Sequence, residues 1–207
     1  MIAPEAFLVF LSAAVILAVT PGAGILYVLT RSLKGGRAEG YMSSFGTALG
    51  GLFHVFAAAL GVSALLAASA LAFAFVKYAG AAYLLYLGVK AVLESRKPLT
   101  VAQLEPQPLK RVFWQGVTVE ALNPKTALFF LAFIPQFINP EGNVFWQFAL
   151  LGSLSVTLNT CADLIVASLA GPIGKTLQQR PRLQQTQQVA TGCGLVALGA
   201  YVALSGD

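Results

Sequence analysis

Charge is scarce in this sequence: 13 Lys and Arg and 8 Asp and Glu among 207 residues, 10% in all, against about 25% in a soluble domain. A soluble fold of this size could not cover its surface with so few charged side chains. The 57% hydrophobic content also excludes disorder, which goes with high charge and few apolar residues. Two cysteines are too few for a disulfide scaffold, and Cys161 and Cys193 read as small packing residues. Histidine occurs once and no CxxC or HExxH sequence is present, so no metal or other cofactor is expected. The net charge of +5 forms no basic stripe in a soluble domain, and nucleic acid is not an expected partner. What remains is an integral membrane protein with the lipid bilayer as its surroundings.

A spanning helix needs about 20 mostly apolar residues, so the spans can be read from the charge-free stretches. They predict helix 1 at 6–31, helix 2 at 41–65, helix 3 at 70–93, helix 4 at 112–137, helix 5 at 144–170 and helix 6 at 188–205. A short hairpin is expected at Ala67–Ser69. The six glutamines between Gln178 and Gln188 read as a solvated loop or short surface helix. The runs are continuous and rich in Ala and Leu rather than alternating, which disfavours a β-barrel. Helix 1 has no Lys or Arg before Arg31, lacks the positive start of a signal peptide, and is expected to be a retained span. Ten of the 13 basic residues fall in three alternate loops: Arg31, Lys34 and Arg37; Arg96, Lys97, Lys110 and Arg111; Lys175, Arg180 and Arg182. The positive-inside rule then puts those loops in the cytoplasm and both termini outside.

The expected architecture is all-α: six transmembrane helices as two inverted three-helix repeats, residues 1–97 and 110–207, joined by a Pro-rich linker at 98–109. Helices 1 and 4 are interrupted at corresponding places, by Thr20-Pro21-Gly22-Ala23-Gly24 and by Asn123-Pro124-Lys125-Thr126. Pro lacks the backbone N–H and clashes with the carbonyl four residues back. Thr or Asn before it suits a cap, and Pro suits the first position of a new helix. Pro21 lies about 15 Å before Arg31 and Pro124 about 20 Å after Arg111, near the midplane of a core about 30 Å thick. Paired interrupted helices at matching positions point to a binding site. Half-helix N-termini at Pro21–Gly24 and Pro124–Thr126 suit a carboxylate. Packing kinks are the alternative.

The chain resembles the LysE/RhtB family of bacterial amino-acid exporters. The matching residues are Thr20-Pro21-Gly22, Arg31-Ser32, Gly36-Arg37, Gly40, Gly46, Gly50, Gly61, Tyr83-Leu84 and Leu87-Gly88. In the second half they are Gln115-Gly116, Asn123-Pro124-Lys125, Phe130 and Pro135-Gln136-Phe137. Ala23 stands where the family usually has Pro. The resemblance implies a secondary active transporter in the bacterial cytoplasmic (inner) membrane. It would export amino acids or close derivatives by proton antiport, without enzyme activity. The alternative is a passive channel for small polar solutes.

Ionisable residues inside spans are costly and are candidates for function. Lys125 could neutralise a carboxylate, bond freed carbonyls or meet the substrate carboxylate. Glu120 could be its counter-charge or bind a substrate ammonium. Asp163 shares a helix face with Asn159 and Ser155 by i, i+4 spacing. It could handle substrate or protons, or bond a neighbouring helix. Imidazole is the side chain that changes charge nearest neutral pH, so His54 suits either a proton step or a helix–helix hydrogen bond. The candidate site is therefore Thr20, Pro21, Gly22, Gly24, Asn123, Pro124, Lys125, Thr126 and Asp163 for substrate, with Asp163, Glu120 and His54 for protons. Lys77 and Lys90 are expected to snorkel to the interfaces. Gly46-xxx-Gly50, with Gly51, makes a small-residue face for close helix packing, within the chain or in a homodimer.

Overall fold

The computed structural model describes residues 4–96, 106–139, 141–170 and 181–204. Most of the 98–109 linker and the loop basics Lys97, Lys175 and Arg180 lie outside the described residues. Among the described residues the fold is all-helical: α1 Pro4–Val19, α2 Ala23–Ala68, α3 Ala70–Leu93, α4 Leu109–Ala121, α5 Pro124–Leu128, a π-helical turn Phe129–Phe133, a 3-10 turn Ile134–Phe137, α6 Val144–Ser168 and α7 Pro181–Leu204. Four stretches, Ala23–Gly61, Ala74–Leu93, Val144–Ser168 and Gln185–Leu204, are long and apolar enough to cross a bilayer. Leu109–Ala121 with Pro124–Phe137, bent by 45°, makes a fifth. Large apolar side chains such as Leu71, Phe75, Trp146, Leu150 and Leu204 point outward, which suits lipid and not water.

The expected loop between helices 1 and 2 is not a loop. Helix continues to Gly35 and resumes at Arg37, with Gly36 alone non-helical at φ 78, ψ −175, a conformation essentially restricted to glycine. The chain reverses there. A straight helix would hold residues 24 and 47 about 35 Å apart, yet a Cβ on Gly24 would lie 3.8 Å from the Thr47 Cγ2. Of the basic residues in this turn, Lys34 and Arg37 are exposed, whereas Arg31 is buried.

Other boundaries differ by smaller amounts. The break at Ala67–Ser69 is present, and Ser69 caps α3 by accepting from the Ala72 amide at 3.2 Å. Helix 4 begins three residues early, at Leu109, and is divided at Leu122–Asn123 as its Pro requires. α7 begins seven residues before the expected start of helix 6. Thus the glutamines from Gln184 to Gln188 are helical, since Gln propagates a helix nearly as well as Lys or Glu.

Packing does not follow the two halves as separate bodies. α2 lies mainly on α4 and α6, and α3 on α7, so the three-helix segments interleave. The Gly46-xxx-Gly50 face is used here: a Cβ on Gly50 would be 2.7 Å from the Val117 carbonyl oxygen, and one on Gly116 would be 2.9 Å from that of Ser43. The glycine face thus meets α4 of the same chain and gives no reason for a homodimer. Lys77 does not snorkel: it is 2% exposed, with its ammonium 5.5 Å from the Tyr78 ring centre. Lys90, exposed, lies 5.9 Å from the ring of Tyr86. Both cysteines are free and exposed, and so are not packing residues.

Candidate functional site

The two interrupted helices meet. α1 stops at Val19, and Thr20 ends it: its amide donates to the Leu17 oxygen at 3.2 Å and its hydroxyl to that of Ile16. Thr20 therefore does not cap the next helix, contrary to the expectation. A hydroxyl bonded back to i−4 is the competing use of Thr, and Pro21 favours extended backbone at Thr20. Helix resumes at Ala23, with the Leu26 amide donating to Gly22 at 3.0 Å. In the second break Asn123 is the cap, accepting from the Lys125 amide at 3.1 Å, and Pro124 is the first helical residue, as expected. The π-helical and 3-10 turns that follow re-form the backbone hydrogen bonding beyond the bend.

Each proline also frees a carbonyl. In an unbroken helix the Leu17 oxygen would accept from residue 21 and the Glu120 oxygen from residue 124, and proline offers neither hydrogen. Each keeps a local donor three residues on, the Thr20 amide on Leu17 at 3.2 Å and the Asn123 amide on Glu120 at 3.0 Å, and each takes a second donor from the opposite half of the chain. The Lys125 ammonium donates to the oxygens of Leu17 at 3.4 Å and Thr20 at 3.1 Å. The Nε2 of His54 lies 2.9 Å from the Glu120 carbonyl oxygen. A carbonyl only accepts, so that nitrogen carries the proton.

The Glu120 carboxylate is buried and accepts from Thr126 Oγ1 at 2.6 Å and Asn123 Nδ2 at 3.2 Å. It presses on Gly24: a Cβ there would be 2.5 Å from Oε2. Gly22 lies equally close to Lys125, whose Nζ would be 2.8 Å from a Cβ. Both glycines thus leave space for a charged group that a Cβ would displace. Lys125 and Glu120 do not pair. Among the described residues the one ion pair is Arg31–Glu39, and the expected counter-charge contact is replaced by hydrogen bonds that each charge makes separately.

Asp163 is fully buried. Thr47 Oγ1 lies 2.9 Å from its Oδ2 and 2.9 Å from the Ser44 oxygen, one hydroxyl proton between two acceptors. Its Oδ1 has no hydrogen-bond partner among the described residues. Ser155 and Asn159, on the same face, join Leu17, Thr47, Glu120, Thr126 and Phe130 around a cavity of about 20 Å³, room for one water. A larger, mostly apolar groove of about 950 Å³ runs along α4 from Lys110 and Arg111 to Leu122. The two share no lining residue.

Two layers flank the cavity. On one side Arg31 bonds Glu39 at 3.4 Å and Gln115 at 2.7 Å, Tyr27 donates to the Val112 oxygen at 2.8 Å, and the Gln107 amide donates to Glu39 at 2.8 Å. On the other, Phe10, Phe129, Phe130, Phe133, Phe137 and Phe148 form an aromatic core. Sequence reasoning missed Thr47, the Leu17 carbonyl and the Arg31–Glu39 cluster. The freed carbonyl was legible from Pro21, and Thr47 is a lone polar residue between glycines in an apolar run.

Residues 15–206 match the family model for LysE type translocators. An uncharacterised membrane protein of Bacillus subtilis, YrhP, is 31% identical over 97% of this chain and 100% of its own. The homoserine/homoserine lactone efflux protein of Salmonella typhimurium is 28% identical over 96% of each chain. The leucine efflux protein of Klebsiella pneumoniae is 34% identical over 64% of this chain and 63% of its own. No solved structure matches. With its two proline breaks facing each other in an apolar helical bundle, this chain belongs to the LysE type translocator family, whose members are transporters and not enzymes.

Proposed function

We propose that this protein is a secondary active exporter of amino acids or close derivatives in the bacterial cytoplasmic membrane, working by proton antiport. The observation that carries the reading is the meeting of the two broken helices, with Lys125 of one bonded to the α1 end of the other. Half-helix ends facing one another near the midplane are how transporters of this kind hold charged solutes. The amine is the recognition element to expect, because the Salmonella relative is named for homoserine and its lactone, which share an amine and differ at the carboxyl.

In this reading the crossings are six. The first is α1 with the opening limb of α2, the second the rest of α2, the third α3; then come α4 with α5 and its turns, α6, and α7. Both termini face outside, in two inverted repeats divided at 98–109. The substrate carboxylate meets the backbone at Pro21–Gly24, with Asn123, Pro124 and Thr126 shaping the opposite wall. Its ammonium turns to the carbonyls and carboxylates around Lys125, Glu120 and Asp163. Asp163 is the leading proton carrier of the three candidates: a proton on it would let it donate to Thr47, and Thr47 to Ser44. The Arg31–Glu39 layer closes the cytoplasmic side and the phenylalanines the outer side. Because the halves interleave, the moving bodies are the α3–α7 pair against α2, α4 and α6.

Purified protein in proteoliposomes tests this. The expected result is saturable, pH-gradient-driven flux of L-homoserine or L-leucine, with exchange of labelled for unlabelled substrate. Flux without saturation or exchange would establish the channel instead, and no flux of any amino acid would sink both.

A further inference from the structure

We infer that Lys125 is a tethered stand-in for the substrate ammonium: bonded to the end of α1, it occupies the subsite that the amine of a transported amino acid takes. This rests on the exporter reading above and specifies its cation subsite.

The subsite is built by Pro21. Without its N–H the Leu17 oxygen has no α-helical donor, and Thr20 is among the last carbonyls of α1, which the helix leaves open. A helix C-terminus carries a partial negative charge, and broken helices use such ends and unwound carbonyls to hold cations. A primary ammonium already sits there, with Lys125 Nζ 3.1 Å from the Thr20 oxygen and 3.4 Å from that of Leu17. The α-ammonium of an amino acid has the same three donors and the same charge. Leu17 also lines the small cavity beside Glu120 and Thr126, so the subsite borders the space that a substrate would expand.

The anion side is filled in the same way. The Glu120 carboxylate lies against Gly24, at the start of α2, held by Asn123 and Thr126. A cavity of about 20 Å³ leaves room for a water and none for an amino acid. The closed site is thus complete with the protein's own ammonium and carboxylate. Substrate enters by displacing Lys125, and Lys125 returns when substrate leaves. This gives the empty carrier a satisfied closed state, which it needs in order to reset.

The sign of one affinity change decides the matter. If Lys125 competes with substrate, removing it removes a self-occupied state that lowers apparent affinity. Binding of tritiated L-homoserine and L-leucine to full-length protein in nanodiscs should then tighten in Lys125→Met by about tenfold, the worth of a charge-assisted hydrogen bond. Exchange should persist while net efflux slows, because the empty form no longer closes. With wild type, 3-methylbutylamine should displace labelled leucine, and 2-hydroxy-4-methylpentanoate, which keeps the carboxylate and lacks the amine, should not. Weaker binding by Lys125→Met, or displacement by the hydroxy acid as good as by the amine, overturns the inference and makes Lys125 a carboxylate ligand. Should Lys125→Met not fold, the two competitors on wild type still decide. If wild type transports these amino acids, only the inference is at stake; if it neither binds nor carries any amino acid, the exporter reading falls with it.

Discussion

His54 supplies the donor that Pro124 takes away from Glu120: its Nε2 lies 2.9 Å from the carbonyl four residues before the proline. The ring sits between Phe53 and Phe130 and bonds the Glu120 backbone, whereas the partners of the Glu120 carboxylate are Asn123 and Thr126. This geometry accounts for the histidine as the holder of a broken helix. His54→Gln, which keeps an N–H donor, should retain most pH-driven flux. His54→Leu leaves the Glu120 oxygen with the Asn123 amide alone and should cost about 0.5–1.5 kcal/mol of stability, the net worth of one hydrogen bond, read as a lower melting temperature in detergent. Loss of the pH-gradient dependence in a well-folded His54→Gln would instead make this imidazole part of the proton route.

Arg31 and Glu39 stand on the two limbs of the Gly36 reversal, both buried, and tie α2 to α4 through Gln115. Removing one partner of a buried ion pair strands the other charge, at about 3–5 kcal/mol. Glu39→Gln should therefore lower the melting temperature sharply. Replacing both, as Arg31→Met with Glu39→Met, should recover most of that loss, since apolar substitutes for a buried pair are often neutral. The double variant should still transport poorly, because the layer then loses its ion pair and the bonds to Gln115 and Gln107 and keeps only those of Tyr27. Thermal melts and proteoliposome flux on the three proteins separate the two effects.

At Gly36 the cost of a side chain is backbone cost alone, because a Cβ would meet nothing within 4 Å. Its φ of 78 and ψ of −175 belong to a region that costs other residues about 1–3 kcal/mol. Gly36→Ala should lose that much in a melt. By contrast, the same change at Lys34, exposed on the regular helix before the turn, should lose almost nothing. Equal losses would mean that the reversal is not made at Gly36.

Hydropathy alone reached the helices, because a bilayer demands long apolar runs and the sequence has them. The Pro breaks were equally legible, as proline's effect on a helix is local. The reversal at Gly36 was not: Arg31 read as a loop charge, whereas it is buried and paired with Glu39, and pairing depends on which limbs pack together. Lys77 misled for the same reason, its charge suggesting an interface while its helix turns it inward. In the site, Lys125, Glu120 and the latter's partners Asn123 and Thr126 were found as residues, but the partners of Lys125 were not. Those partners are backbone oxygens, which every residue has and which only the absence of a proline hydrogen marks out.

Asp163 offers the clearest separation of proton coupling from substrate binding. It lies outside the ring of residues lining the small cavity and touches it through Thr47. Its Oδ1 has no partner among the described residues, and Thr47 has one proton for two acceptors. A proton on Oδ2 resolves the second shortage: Asp163 donates to Thr47 and Thr47 to Ser44. The ionised form leaves one more buried acceptor without a donor, a cost of about 1–3 kcal/mol or more for a charged group. Asp163→Asn supplies the donor permanently and cannot release it, so it copies the protonated state. Substrate exchange at equal pH on both sides should persist within about threefold of wild type, since an isosteric change in this position leaves the cavity wall intact. Uptake or efflux driven by a pH gradient should fall to the level seen without one. Exchange and gradient-driven flux abolished together would place Asp163 on the substrate, and both retained would move the proton site to Glu120.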